Sequence, residues 1–165
     1  MRPSFLFICT GNICRSPMAE AAMRKEASQR GLSIDIASAG IDGWHVGDPP
    51  DERAQHVAAA AGLEIGHYRA KRLEDEDFER YTHILALDNG HLCALRRRAP
   101  PAARDKIHLL MDFQPGQKNV SVEDPYYKDM AAFEKAWAQI TSACAALARS
   151  CLDRGENDAE TAPRS

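Results

Sequence analysis

The stretch that decides the fold is FLFICTGNICRSPMAE, residues 5–20. Its first five residues, Phe5 to Cys9, form an apolar run whose length and composition predict a buried β-strand. Gly11 and Asn12 follow, and both residue types tolerate the unusual backbone dihedrals of a tight turn. Ser16 can cap a helix, so a helix is predicted to begin directly after the turn. The predicted order is therefore strand, tight loop, helix.

The rest of the chain continues this alternation of strands and helices. Right-handed crossovers between parallel strands leave few arrangements, so we predict an α/β fold in one domain, residues 1–152. Its four-stranded parallel sheet is flanked by helices on both faces, and the tight loop after strand 1 lies at the carboxyl edge of the sheet, where such folds bind their ligands. The polar tail, residues 153–165, is predicted to be disordered. Strands are predicted at Phe5 to Cys9, Ile34 to Ser38, Thr82 to Leu87 and Lys106 to Leu110.

The last predicted helix has a single apolar stripe, with steps of four and three residues that place its members on one side. We predict that this stripe packs in the core, its two cysteines included. The stripe consists of Phe133, Trp137, Ile140, Cys144, Leu147 and Cys151.

Composition and charge exclude several classes of function. The chain has 165 residues and a formal net charge of −3, which indicates no nucleic-acid partner. Its N-terminal apolar run is too short for a signal peptide or a membrane span. We therefore expect a cytoplasmic protein without membrane insertion, with secretion by a route without a signal peptide as the alternative. Five cysteines lack paired C-x2-C spacing and the histidines lack ligand-like spacing, so we predict reduced thiols, no bound metal and no cofactor.

The tight loop after strand 1 has the chemistry of a phosphate-binding loop. Successive N–H groups of such a loop, together with the N-terminus of a helix, form a cradle for a tetrahedral anion. Arg15 adds a fork of donors for two oxygens. The same donors stabilise a thiolate, so Cys9 is predicted to be the nucleophile facing a bound phosphoryl group.

The string CTGNICRS, residues 9–16, followed by PMAE, resembles the low-molecular-weight protein tyrosine phosphatase family. The resemblance implies a protein-tyrosine phosphatase that hydrolyses phosphotyrosine in proteins, and small aryl phosphates, through a phosphocysteine intermediate. It implies Cys9 as nucleophile and Arg15 as phosphate ligand. The segment EDPYY, residues 123–127, matches the place of the family's catalytic aspartate, so Asp124 is expected to be the general acid and base.

The resemblance extends to the surroundings of the loop. The serine of ASAG, residues 37–40, matches one that bonds to the loop asparagine, and His67 resembles a histidine that supports it. Cys14 matches a second loop cysteine that can form a disulfide with Cys9, which a thiol reductant would reopen. Residues implied to bind phosphate or support the loop are Thr10, Gly11, Asn12, Ile13, Cys14, Ser16, Ser38 and His67. The implied substrate walls are Trp44, Tyr126 and Tyr127.

Other interpretations stay open at this point. Cys14 can be an inert packing thiol, Asp124 a turn residue and Trp44 a core aromatic. Arsenate reduction would need a relay of further cysteines, and a phosphotyrosine-binding module would bind without turnover. Ile13 favours phosphotyrosine over phosphoarginine, because the branch that acts on phosphoarginine has threonine there. The physiological substrate and the oligomeric state are not predicted.

Overall fold

The sheet is built from four parallel strands in the order β2-β1-β3-β4, in a computed structural model that describes residues 2–153. In the register, Cys9 pairs with Gly40 and Ile8 pairs with Ala86. The carboxyl ends of β1, β2 and β3 therefore meet at one edge of the sheet. The strands are β1 Phe5–Cys9, β2 Ile36–Gly40, β3 His83–Ala86 and β4 Ile107–Leu109.

Helices connect the strands and cover both faces, as the sequence predicted. Short 3-10 turns at Pro101–Lys106 and Leu110–Phe113 flank β4, and a π-helical turn, Arg149–Asp153, follows the last helix. The predicted tail at 153–165 lies outside the described residues except for Asp153. The helices are α1 Arg15–Gln29, α2 Glu52–Ala60, α3 Asp77–Arg80, α4 Asn89–Arg98 and α5 Met130–Ala148.

Strand β1 separates the two cores because its side chains alternate between the faces of the sheet. Phe5, Phe7 and Cys9 point into the core formed with α1 and α5. Leu6 and Ile8 point into the second core, which includes α4. Burial on both faces explains why β1 is a continuous apolar run rather than an alternating one.

Two local predictions need correction. Helix α1 begins at Arg15, and Ser16 does not cap it, since its hydroxyl turns inward to the phosphate loop. Strand β2 lies two residues later than predicted and ends at Gly40, because its pairing with β1 continues to Cys9. Gly31, just beyond the end of α1, has a φ of +66°, a left-handed conformation that glycine adopts without strain.

The stripe of α5 packs largely as predicted. Phe133, Ile140, Cys144 and Leu147 are buried in the first core. Trp137 and Cys151 are only partly buried but pack against the same core, and Cys151 lies beyond the helix in the π-helical turn. Within residues 2–153, none of the helices is long and apolar enough to cross a membrane.

Candidate active site

The phosphate loop, residues 9–15, connects β1 to α1 and is shaped by Asn12. This residue has a φ of 60°, a left-handed conformation that asparagine tolerates. Its amide nitrogen donates to Ser16 Oγ at 2.8 Å and to Ser38 Oγ at 2.9 Å. Its amide oxygen accepts from the backbone N–H of Lys71 at 2.9 Å. The buried side chain of Asn12 therefore fastens the phosphate loop to α1, to β2 and to the segment around Lys71.

Cys9 lies at the base of this loop, at the end of β1, and is 3% exposed. Its Sγ lies 2.9 Å from Ser16 Oγ. Since that oxygen already accepts from Asn12, the hydroxyl proton of Ser16 is free to point at the sulfur. Ser16 can therefore donate a hydrogen bond to the sulfur atom at the base of the loop.

Arg15 is buried and held from two sides. Its Nη1 donates to Asp88 Oδ2 at 2.8 Å and to the backbone carbonyl of Val122 at 2.9 Å. These bonds use both Nη1 protons, so the Nε and Nη2 protons are left for a bound oxyanion. Nη2 also lies 3.7 Å from Asp124 Oδ2. One guanidinium thus connects the phosphate loop, the end of β3 and the loop after β4.

Asp88 has a second partner in His91, on the first turn of α4. Burial alone would raise the pKa of Asp88, but the backbone N–H of His91 and the guanidinium of Arg15 lower it. Burial lowers the pKa of His91 to about 4, so its ring is neutral at pH 7. His91 Nε2 forms a hydrogen bond with Thr10 Oγ1 at 2.9 Å. His91 therefore connects the front of the phosphate loop, through its ring, with the carboxylate that orients Arg15, through its backbone N–H.

Asp124 lies above the loop, and its side chain is 43% exposed. Its Oδ1 accepts from the backbone N–H of Tyr126 at 3.1 Å. Trp44 and Tyr127 form the rim and are 84% and 90% exposed, so the cavity opens widely to solvent. The residues lining this cavity are Cys9, Thr10, Gly11, Ile13, Cys14, Arg15, Trp44, His45, Asp124, Tyr126 and Tyr127.

Most of the predicted site residues come together in or around this one cavity. Ser38 and Ser16 lie behind the loop and reach it through Asn12. His67 lines a neighbouring pocket together with Asn12 and Ser38, and no hydrogen bond joins it to Asn12 in the described part of the chain, so its supporting role stays a prediction. The Lys71 N–H occupies the amide oxygen instead, while the His67 ring packs on Tyr68 at 4.9 Å.

Cys14 lies on the same loop as Cys9, and both are buried free thiols. Burial, followed by the charge of Cys9, raises the pKa of Cys14 well above its usual range. Cys14 is therefore a protonated thiol at neutral pH, and its disulfide with Cys9 stays a prediction. No group of three or more metal-ligating side chains occurs between residues 2 and 153.

Sequence reasoning missed several residues that support the site. Asp88 follows β3 at the carboxyl edge of the sheet, so its position after a buried strand could have revealed it. Glu20 accepts from Ser38 Oγ at 2.7 Å, and its partner is 18 residues away in the chain. Val122 and His91 act through contacts that no local pattern indicates. His45 packs against Gly11, where an added Cβ would lie 2.9 Å from its ring.

The chain is similar in sequence and in structure to known phosphatases. Residues 4–157 match the family model described as low molecular weight phosphotyrosine protein phosphatase. Low molecular weight phosphotyrosine protein phosphatase 2 of Drosophila melanogaster is 41% identical over 146 residues, 87% of this chain and 88% of that protein. A solved protein tyrosine phosphatase from Entamoeba histolytica, with Hepes in its active site, has a TM-score of 0.87 at 32% identity and covers 93% of this chain and 99% of its own. A Drosophila arginine phosphatase has a TM-score of 0.83 at 32% identity and covers 89% of this chain and 96% of its own.

Proposed function

The chain belongs to the low molecular weight phosphotyrosine protein phosphatase family, and from that premise we propose the role of each site residue. It is a protein-tyrosine phosphatase, a hydrolase whose substrate class is phosphotyrosine. The observation that carries the proposal is one cavity in which a sulfur, a buried guanidinium and a carboxylic acid face the same space. We assign the sulfur of Cys9 as nucleophile, the guanidinium of Arg15 as phosphate ligand and the carboxyl group of Asp124 as general acid and base.

In the first step, the Cys9 thiolate attacks the phosphorus of the bound ester. A sulfur–phosphorus bond forms while the bond from phosphorus to the phenolic oxygen breaks. Arg15 and the N–H groups of the loop neutralise the charge on the phosphoryl oxygens. Asp124 donates its proton to the departing oxygen, because phenolate is a poor leaving group unless it is protonated. The products are a neutral phenol and phosphocysteine.

In the second step, water attacks the phosphocysteine. The Asp124 carboxylate takes a proton from this water, the sulfur–phosphorus bond breaks, and inorganic phosphate leaves. The sulfur departs as a thiolate, which the Ser16 hydroxyl at 2.9 Å stabilises. Asp124 is again protonated and Cys9 again anionic, so the cycle closes without a further reactant.

Ile13 supports phosphotyrosine as the substrate rather than phosphoarginine. Its aliphatic side chain lines the cavity together with Trp44 and Tyr126. Such walls favour an aryl ring, and an isoleucine offers no acceptor to the N–H groups of a guanidinium. Cysteines 93, 144 and 151 do not line the cavity, so no observation favours a thiol relay for arsenate reduction.

The test is hydrolysis of aryl phosphates in the presence of a chelator. The unmodified protein is expected to release phosphate, and Cys9→Ser to bind vanadate without turnover. Cys93→Ser, an exposed thiol on α4, is the matched control and is expected to keep full activity. Asp124→Asn is expected to lower kcat/KM strongly for phenyl phosphate and much less for 2,4-dinitrophenyl phosphate, whose leaving group needs no proton. Turnover by Cys9→Ser, or equal losses for both esters, would overturn the assignments.

A further inference from the structure

Resting on this proposed function, we propose that Arg53 is a positioning residue that sets Asp124 over the phosphate loop. Asp124 belongs to residues 123–129, here called the acid loop, which contain no helix or strand. Such a segment needs anchors from elsewhere to place a carboxyl group with the accuracy that proton transfer requires. Arg53, in the first turn of α2, supplies two of them.

The first part of the argument is the pair of bonds that Arg53 donates to the acid loop. Its Nη1 donates to the backbone carbonyl of Lys128 at 2.8 Å. Its Nη2 donates to the backbone carbonyl of Tyr126 at 2.9 Å. Tyr126 in turn donates its N–H to Asp124 Oδ1 at 3.1 Å. Tyr126 therefore connects the two residues: its carbonyl accepts from Arg53, and its N–H donates to the carboxyl group of Asp124.

The second part is the fixed support of Arg53 itself. Its Nε donates to Asp51 Oδ1 and its Nη2 to Asp51 Oδ2, each at 3.0 Å. Asp51 caps α2 and donates its own N–H to the backbone carbonyl of Ile13 at 2.8 Å. Ile13 belongs to the phosphate loop. A continuous line of hydrogen bonds thus runs from the phosphate loop through Asp51 and Arg53 to the acid loop.

Packing fixes the plane of the guanidinium. It lies over the ring of Phe133, 4.4 Å from its centroid, and 5.8 Å from the centroid of Tyr126. Phe133 is fully buried in the core, so the guanidinium packs on a side chain that is itself held on all other sides. The stacked plane directs the N–H donors along the acid loop, a geometry that a lysine ammonium cannot reproduce.

The prediction for Arg53→Lys follows from this geometry. The variant keeps the positive charge beside Asp51 but loses the fork that reaches two carbonyls. The acid loop then relaxes toward solvent, and proton donation by Asp124 suffers first. We expect kcat/KM for phenyl phosphate to fall about 10- to 100-fold, since a misplacement of about 1 Å can cost that much. For 2,4-dinitrophenyl phosphate we expect less than about a threefold loss, and vanadate affinity should be unchanged.

A double-mutant cycle separates positioning from general destabilisation. If Arg53 acts through Asp124, Arg53→Lys should have almost no further effect on phenyl phosphate hydrolysis in the Asp124→Asn background. Arg30→Lys is the matched control, because Arg30 also binds carboxylates and a backbone carbonyl. Arg30 lies at the C-terminal end of α1, and the phosphate loop lies at the N-terminal end of that helix. It should lower the melting temperature without changing the selectivity between the two esters.

Two results would overturn the proposal. One is a loss from Arg53→Lys that is equally large in the unmodified protein and in the Asp124→Asn variant, and the other is an equal loss for both esters. Either leaves the proposed function intact, provided that the unmodified protein turns over and Cys9→Ser does not. Should Arg53→Lys unfold, Arg53→Gln, which retains one donor group, tests the same ratio between esters.

Discussion

Removing the side chain of Asn12 should destabilise the protein by a calculable amount. The amide makes three hydrogen bonds, to Ser16, Ser38 and the Lys71 backbone, and the residue is 4% exposed. A net value of about 1 kcal/mol for each bond gives a loss of about 3 kcal/mol. Alanine at a φ of 60° adds about 1 kcal/mol of backbone strain, which glycine avoids.

Asn12→Gly is therefore expected to lower the free energy of unfolding by about 3 kcal/mol, and Asn12→Ala by about 4 kcal/mol. Domains of this kind have roughly 5 to 15 kcal/mol of stability, so both variants should still fold. The pair separates the two contributions, because both variants lose the hydrogen bonds and only alanine resists the left-handed conformation.

The assay is urea unfolding followed by circular dichroism at pH 7.5, with linear extrapolation to water. Phenyl phosphate kinetics on the same samples report the shape of the loop. A loss below about 1 kcal/mol in Asn12→Ala would refute the view that this amide holds the loop. Equal losses in the two variants would refute the strain argument.

Two further predictions concern the same edge of the sheet. A Cβ on Gly40 would lie 2.8 Å from the Thr10 carbonyl oxygen, so Gly40→Ala should shift the phosphate loop and lower kcat/KM about 10- to 100-fold. Gly66→Ala, whose Cβ would meet only flexible side-chain ends, is the kinetic control and should keep near-normal activity. Burial lowers the pKa of His91 from 6.5 to about 4, so the unfolded chain binds a proton that the folded protein does not between these pH values. Stability should fall as the pH drops through this window, by about 3 kcal/mol from His91 alone, and urea titrations should show that His91→Gln removes this part of the slope. An unchanged slope would contradict the neutral, buried ring.

The fold could be predicted from sequence because its signals are local. The apolar run Phe5 to Cys9 predicted the bounds of β1 correctly. Strand β2 was misplaced by two residues, since its end is fixed by pairing with β1 rather than by its own composition. Ser16 resembled a helix cap because a serine before a helix has the same local pattern whether its hydroxyl caps the helix or turns to a neighbouring thiol.

The site was predictable only where the sequence carries a motif. Cys9, Arg15 and Asp124 stand in recognisable strings, and the structure places them around one cavity. Asp88 was missed although it binds Arg15, because the two residues lie 73 positions apart. Arg53 was missed for a similar reason, since it donates to backbone carbonyls of a distant loop. Every residue has a backbone carbonyl, so the sequence does not indicate which one is a hydrogen-bond partner.

The hydrogen bonds from Arg15 to Asp88 and to the Val122 carbonyl affect the affinity for a bound oxyanion. An unrestrained arginine side chain has about 2 kcal/mol of rotamer entropy, and losing it on binding a ligand would weaken that binding. In this protein that freedom is lost during folding, before any phosphate arrives. Preorganisation of this one side chain therefore strengthens oxyanion binding by roughly 30-fold relative to a mobile arginine in the same place.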